Sequence, residues 1–417
     1  MTVTTLPPGP SSGRRIVLGV TGSIAAYKAL SVASRLTQAG AVVDVILTAA
    51  AAEIVRPLAF QALTHRPVIT SLWDPTGPLG MDHIALAHAA DVLVVAPATA
   101  DVIARLALGL ADDALTTTAL ATRAPLVIAP AMEPDMWSHP ATQGHIATLL
   151  GRGATLVGPL DGRMASGKDG LGRLAEPDEI VDWIRAVLGR PGPLAARRVL
   201  VTAGPTFESL DPVRYLTNHS SGRMGYAVAR AARDAGAAVT LVTGPVALAP
   251  PAAVSVVPVE TAVEMRDAVL SRAADADAII MTAAVADYRP AEVSPTKIKK
   301  GESDVVLTLT SNPDILREID ARMRDVPPER RPMRVGFAAE TDDLVANAQV
   351  KLAAKGLDLV VANPVPATFG STRGTVTFVT TEGVRELGER TKDAIAAEIV
   401  GWLEARLASH ASRDGAS

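Results

Sequence analysis

Residues 201–225 read VTAGPTFESLDPVRYLTNHSSGRMG. The β-branched run VLVTAG ends in glycine, and a polar loop, the cluster Asn218-His219-Ser220-Ser221-Gly222 and an amphipathic segment from Arg223 to Ala235 follow. Strand, anion-friendly loop and helix is how α/β enzymes hold phosphate. This loop is far longer than a dinucleotide fingerprint. It carries hydroxyl and amide groups where that fingerprint has glycines, which points to a ligand larger than a pyrophosphate.

Lysine usage marks the same half of the chain. Only eight lysines stand against 32 arginines; five fall between Lys297 and Lys355, three of them in TKIKK. Compact point charges suit phosphate groups; the plainer reading is a solvated turn. Asp287 follows the strand-like run 277–284, where ligands of open α/β sheets collect, and could hold a metal or merely cap a turn. Asn312-Pro313-Asp314-Ile315 reads as a helix start capped by Asn312 or Ser311, with free N–H groups for phosphate. Lys351 and Lys355 share one helix face, as phosphate ligands or as a solvated pair. Phe337, after a glycine at a strand end, could pack on a base or fill core.

In the first half, Gly19-Val20-Thr21-Gly22-Ser23-Ile24 is a strand, a tight turn and a helix start. The Gly-x-x-Gly-Ser spacing misses the dinucleotide fingerprint and, with Ser23 near a helix N-terminus, suits a terminal monophosphate. Thr48 ends the second strand and could add a hydroxyl. His83 lies near a helix start, with His88 five residues on; a catalytic, a capping and a core role are all open for His83.

The elements that must position these residues come in two series. Segments 16–20, 42–48, 91–96 and 125–129 read as buried parallel strands, alternating with helices near 24–39, 51–62, 99–110, 140–150 and 177–188. The pattern restarts with VLVTAG, AAVTLVTG, DAIIMTAA, MRVGFAAE and LDLVVANP, and with helices near 223–235, 261–273, 342–355 and 389–406. VTFVT (376–380) reads as an added edge strand, and 288–311 as an insertion with one or two short strands. The expected fold is α/β: two Rossmann-like three-layer domains with open parallel-rich sheets, the first flavodoxin-like. The boundaries are a disordered tail over 1–13, a first domain over 14–188, a linker over 189–197, a second domain over 198–409 and a tail over 410–417. The 417 residues are 48% hydrophobic and 20% charged, with net charge −4 and no cysteine. This excludes disulfides and thiolate chemistry and disfavours nucleic acid as a partner. No apolar run of 18 residues and no signal-peptide core occurs, so no membrane partner and a cytoplasmic location are expected.

From 199 to 400, the motifs VTAGPTFESLDPVRYLTNHSSGRMG, AAVADYRP, KIKK, NPDIL, VGFAAET and VVANP resemble the phosphopantothenate–cysteine ligase module of coenzyme A biosynthesis. The resemblance implies CTP as co-substrate, Mg²⁺, and an acyl-cytidylate of 4'-phosphopantothenate from which cysteine displaces CMP. Asn218 would contact the acyl-cytidylate. Asp287, Lys297, Asn312, Pro313, Asp314, Ile315, Phe337, Lys351 and Lys355 would surround CTP, with Lys297 catalytic and Asp287 the metal ligand.

Residues 15–180 resemble the flavin-dependent phosphopantothenoylcysteine decarboxylase module that many bacteria fuse to that ligase. The resemblance implies FMN at Gly22, Ser23, Ile24, Thr48, Pro97 and Thr99, and around the segments PATADV and ADDALTTT. It implies a catalytic His83, and a substrate site at Glu133, Met136, Arg163, Lys168 and Arg173. FMN would oxidise the cysteine thiol to a thioaldehyde, allow loss of CO₂, and return the electrons to give 4'-phosphopantetheine. Three departures stand out: Glu133 and Asp101 each replace an asparagine of the family pattern, and a flap cysteine is absent. A non-catalytic flavin module fused to a working ligase is the alternative. The resemblance also implies homo-oligomers: trimers of the first module, dimers of the second, and a dodecamer of full chains.

Overall fold

The computed structural model describes residues 9–73, 82–300, 304–340, 342–364 and 372–414. Two compact units divide the chain, Met1–Gly189 and Arg190–Ser417. Of the tails expected from sequence, residues 1–8 and 415–417 lie outside the described residues. Residues 9–13 are an ordered turn with Ser11 buried, and the last helix runs on to Asp414, so neither stretch is a tail there.

In the first unit, β1 (Arg15–Val20), β2 (Val42–Leu47), β3 (Val68–Ile69), β4 (Val92–Ala98), β5 (Leu126–Pro130) and β6 (Thr155–Leu156) form one parallel sheet. Its order is β3-β2-β1-β4-β5-β6. Without the two-residue β3, the other five keep the flavodoxin order, and the chain reverses direction between β1 and β4. Both faces are covered. Ile16, Leu18 and Val20 point to helices 26–38, 57–64 and 177–189, while Val17 points to helices 100–108, 114–121 and 140–151. That period of two is the pleat, and it turns an unbroken apolar run into two cores. An antiparallel hairpin, β7 (Leu160–Arg163) and β8 (Asp169–Arg173), stands apart from the sheet. The single helix expected over 51–62 is two, Ala49–Ile54 and Pro57–Thr64. Pro57 has no N–H to continue the first helix and forces Arg56 into an extended conformation, so the helix stops and restarts.

In the second unit, the elements in chain order are β9 (Arg198–Ala203), the hairpin β10 (Phe207–Ser209) and β11 (Tyr215–Thr217), β12 (Ala238–Thr243), β13 (Ser255–Pro258) and β14 (Ala278–Met281). The hairpin β15 (Tyr288–Pro290) and β16 (Leu309–Ser311) follows, then β17 (Met333–Glu340), β18 (Leu359–Pro364), β19 (Arg373–Thr380) and β20 (Gly383–Thr391). The main sheet runs β13-β12-β9-β14-β17-β18-β19-β20, parallel as far as β18 and antiparallel beyond. VTFVT is therefore an interior stretch, because Gly383–Thr391 pairs on its outer side. The stretch read as a linker is anchored as well: Leu194 is buried in the second core and its N–H donates to the Ala235 carbonyl at 2.8 Å.

Candidate active sites

The first site grows from the carboxyl ends of β1, β4 and β5. Thr21, which sequence reasoning passed over, stitches two of them together. Its hydroxyl donates to the Pro97 carbonyl at 2.8 Å and accepts from the Thr99 N–H at 3.0 Å, fully buried. The signal was a threonine between two glycines at a strand end. Gly22 is required sterically, since a Cβ there would sit 2.5 Å from the Ala50 Cβ. The Ser23 hydroxyl accepts from the Ala25 N–H at 3.3 Å; helix 26–38 has no side-chain cap, and the Ala26 and Lys28 N–H groups donate to Ser23 O and Ala25 O, both at 2.9 Å. Ile24 and Tyr27 flank the turn and are exposed. Thr48 is the N-cap of helix 49–54, accepting from the Ala51 N–H at 3.2 Å. Thr99 caps helix 100–108 with its hydroxyl unused by the helix. Beside Thr48 lies a cavity of about 150 Å³ lined by Thr70, Trp73, Asp112 and Asp113 among others. Asp113 caps helix 114–121 in a capping box with Thr116. The arrangement is a shelf with hydroxyls and a helix N-terminus at the strand ends, chemistry that fits a phosphorylated ligand.

The substrate-side residues gather at the edge of that shelf. Ala131 N–H bonds the Ala98 carbonyl and Met132 N–H bonds Gly172 of the hairpin, both at 3.0 Å. Gly172 must be glycine, because a Cβ would lie 2.2 Å from the Met132 carbonyl oxygen. Glu133 sits half-buried at the N-cap of helix 134–138 without capping it, and Met136 is exposed two residues into that helix. Lys168 pairs with Asp135 at 2.8 Å. That hydrogen bond and charge, and to a lesser degree Glu133, hold its ammonium above the ordinary lysine range. Arg173 pairs with Glu176 at 2.9 Å, and Glu176 also takes Lys28 of helix 26–38 at 3.1 Å. Arg163 is exposed and has no ion pair among the described residues. Asp101 is turned along its own helix to Arg105 at 3.0 Å, a surface pair. His83 is half-buried as the second residue of helix 82–89, which packs on helix 114–121.

The second site centres on residues 282–287, after β14. The Asn218 amide donates to Val285 O at 3.1 Å and Ala284 O at 3.4 Å, so the long loop is fastened to this hub. Pro205 bridges Ala284, and the buried Thr206 hydroxyl accepts from the Ala286 N–H at 3.0 Å. From the other side, the Asn312 N–H donates to Asp287 O and its amide to Ala286 O, both at 2.8 Å. Asn312 also accepts from Arg289 at 3.0 Å. Neither Asn312 nor Ser311 caps the following helix. Asp314 does, accepting from Arg317 N at 3.2 Å, because Pro313 separates Asn312 from the helix by one residue too many. Asp314 also pairs with Lys355, and the Lys351 ammonium donates to Phe337 O at 2.6 Å. The two lysines are therefore not a solvated pair; Lys355 keeps 17% side-chain exposure. Phe337 is half-buried against the core. Asp287 is exposed. Among the described residues no group of three potential metal ligands occurs, and the donor set is a single open carboxylate. Lys297, Lys299 and Lys300 are exposed and form no ion pair with any described residue. Their segment is held by Asp211. Burial pushes this carboxyl up, but N–H groups of Val213, Ile298 and Arg214 and the Arg214 guanidinium outweigh it and bring it down to about 2.

Comparison with known proteins follows the same division. The family model for the DNA/pantothenate metabolism flavoprotein C-terminal domain matches residues 194–407, and the flavoprotein model matches 5–189. The chain is similar to the coenzyme A biosynthesis bifunctional protein CoaBC of Vibrio vulnificus strain YJ016, with 46% identity over 94% of this chain and 98% of that one. It is similar to the protein of the same name from Bacillus subtilis, with 44% identity over 94% and 97%. Among solved structures, the C-terminal domain of a CoaBC protein aligns with 40% identity and a TM-score of 0.45 over 52% of this chain and 99% of that one. No helix among the described residues is long and apolar enough to cross a membrane.

Proposed function

The chain belongs to the family of bifunctional coenzyme A biosynthesis proteins that join a ligase to a decarboxylase, and from that premise we propose how its residues divide the work. The second unit ligates cysteine to 4'-phosphopantothenate, and the first, a flavoprotein domain, decarboxylates the product. The finer assignments are CTP as the activating nucleotide, Mg²⁺ beside it, FMN in the first unit, a cytoplasmic location and assembly into a dodecamer. The two activities are divided between the compact units Met1–Gly189 and Arg190–Ser417.

A carboxylate becomes an electrophile only when one oxygen becomes a leaving group. Attack on the α-phosphorus of CTP builds charge on phosphoryl oxygens, which Lys297, Lys351 and Lys355 neutralise. Asn312, Pro313, Asp314 and Ile315 line the nucleotide at the helix start, with Phe337 against it. An exposed carboxylate with no protein co-ligands suits Mg²⁺, which keeps waters and takes most of its oxygens from phosphates, so Asp287 would hold it. Asn218 holds the acyl-cytidylate without adding negative charge. The link from Asn218 through the 284–287 hub to Asn312, Asp314 and Lys355 supports this reading most strongly, because it joins both halves of the reaction in one rigid frame.

In the first unit FMN fits the shelf formed by Gly22, Ser23, Ile24, Thr48, Pro97 and Thr99. Bound there, it would take a hydride equivalent from the cysteine side chain and later return it. Decarboxylation beside an amide lacks an electron sink until the thiol carbon is oxidised. His83 manages a proton at the reacting centre. Arg163, Lys168 and Arg173 draw the substrate phosphate to the hairpin, with Glu133 and Met136 at the substrate carboxylate. Lys168 beside Glu133 and Asp135 lessens the repulsion a second carboxylate would meet. Anaerobic incubation with phosphopantothenoylcysteine, following CO₂ and thiol by mass, tests this half. Phosphopantetheine lost in His83→Asn supports it, and neither CO₂ nor flavin bleaching would leave a non-catalytic flavin module.

A further inference from the structure

We propose that Asp211 is a positioning residue for the ligase, clamping the backbone on which Lys297 rides; the inference rests on the reading of Lys297 as the phosphoryl counter-charge. Residues 291–300 contain no helix or strand, so nothing regular fixes the three lysines there. What fixes them is a side chain 87 positions away. Asp211 is almost wholly covered. One carboxylate oxygen accepts from the N–H groups of Val213 at 2.8 Å and Arg214 at 2.9 Å, which closes a turn. The other accepts from the Arg214 guanidinium at 2.7 and 3.0 Å and from the Ile298 N–H at 3.1 Å.

The same guanidinium donates to the Ile298 carbonyl, so both poles of that one residue's backbone are gripped. Ile298 is the neighbour of Lys297 and Lys299. A second tether, the Ser294 N–H on Leu210 O at 3.0 Å, fixes the near end of the segment. The turn alone would need one oxygen, and the second is spent on the lysine segment. With its carboxyl brought down to about 2, the clamp stays ionised at neutral pH. A flexible ammonium serves a phosphoryl group only if its backbone anchor is fixed, and a displacement of about 1 Å costs on the order of 100-fold in rate.

Asp211→Asn separates the two functions. Its remaining oxygen can still close the turn, while its NH₂ meets the Ile298 N–H and the Arg214 guanidinium, donor against donor. Pyrophosphate release from CTP and phosphopantothenate should then fall on the order of 100-fold in kcat, with Asp211→Glu recovering part of it. Decarboxylation of supplied phosphopantothenoylcysteine by the other unit should not change. In single turnover, Lys297→Ala with Asp211→Asn should be no slower than Lys297→Ala alone. Should Asp211→Asn fail to fold, Ile298→Pro removes the clamped N–H, while also fixing φ at 298 and restricting Lys297 to extended backbone, and predicts a loss at least as large. If Lys297→Ala keeps full pyrophosphate release, the reading of Lys297 falls and the proposal with it. If Lys297→Ala is crippled while Asp211→Asn or Ile298→Pro runs at the native rate, or if the two losses multiply, the proposal alone is overturned.

Discussion

Replacing Thr21 by valine keeps the shape of the side chain and removes the hydroxyl that joins β1 to the loop after β4. A buried carbonyl, that of Pro97, and a half-buried N–H, that of Thr99, lose their partner. Each unsatisfied group costs roughly 1–3 kcal/mol, so with partial relaxation the variant should lose about 2–4 kcal/mol. Thr21→Ser keeps the hydroxyl and gives up only a methyl, about 1 kcal/mol. The assay is urea unfolding followed by tryptophan fluorescence, since Trp73, Trp137 and Trp183 report on the first unit and only Trp402 on the second. At a slope of about 2 kcal/mol/M, the first transition should move down by roughly 1–2 M in Thr21→Val. Flavin retention should weaken with it, because Thr99 and Pro97 form one wall of the shelf. A Thr21→Val transition at the native midpoint, or a Thr21→Ser variant less stable than Thr21→Val, would refute the reasoning.

Gly22→Ala should cost about 1–3 kcal/mol by overpacking against Ala50 and release flavin on dialysis, while Gly144→Ala, where a Cβ meets nothing within 4 Å, should keep it. Lys355→Met should raise the KM for CTP about 30-fold or more, since losing one partner of a buried charge pair costs roughly 2–5 kcal/mol; an unchanged KM would remove Lys355 from the nucleotide site. Asp211 has its folded pKa depressed from 3.8 to about 2, so its contribution to stability is full above pH 4 and fades as pH falls toward 2. The stability gap between the native protein and Asp211→Asn, followed by Trp402 fluorescence, should therefore be constant at neutral pH and shrink between pH 4 and 2. A gap that persists at pH 2 would contradict the sign.

The parallel strands were legible in the sequence because burial on both faces writes them as unbroken apolar runs, as in IVLGV and VLVVA. Features set by long-range contact were not. A run such as VTFVT does not reveal whether another strand will pair outside it, so it read as an edge. The single helix over 51–62 failed because alanine propensity outweighed the stop before Pro57. In the sites, residue types pointed to Asp287, Lys351 and Lys355, but the partners that fix them are carbonyls and caps far away in the chain. Asp211 and Thr21 gave the weakest signals, since an aspartate in a turn and a threonine at a strand end are ordinary until their partners are seen. Asp101 shows the reverse, a conspicuous replacement that the fold absorbs in a pair with Arg105.

The central claim is that one chain carries two consecutive reactions in two separate units. Mass analysis of products from phosphopantothenate, cysteine, CTP and Mg²⁺ under anaerobic conditions tests it directly. The native protein should yield phosphopantetheine with CO₂, CMP and pyrophosphate. His83→Asn should accumulate phosphopantothenoylcysteine, and Lys297→Ala should make neither product yet still convert added phosphopantothenoylcysteine. A native protein that stops at phosphopantothenoylcysteine, or a Lys297→Ala variant that loses both activities while folded, would contradict the account.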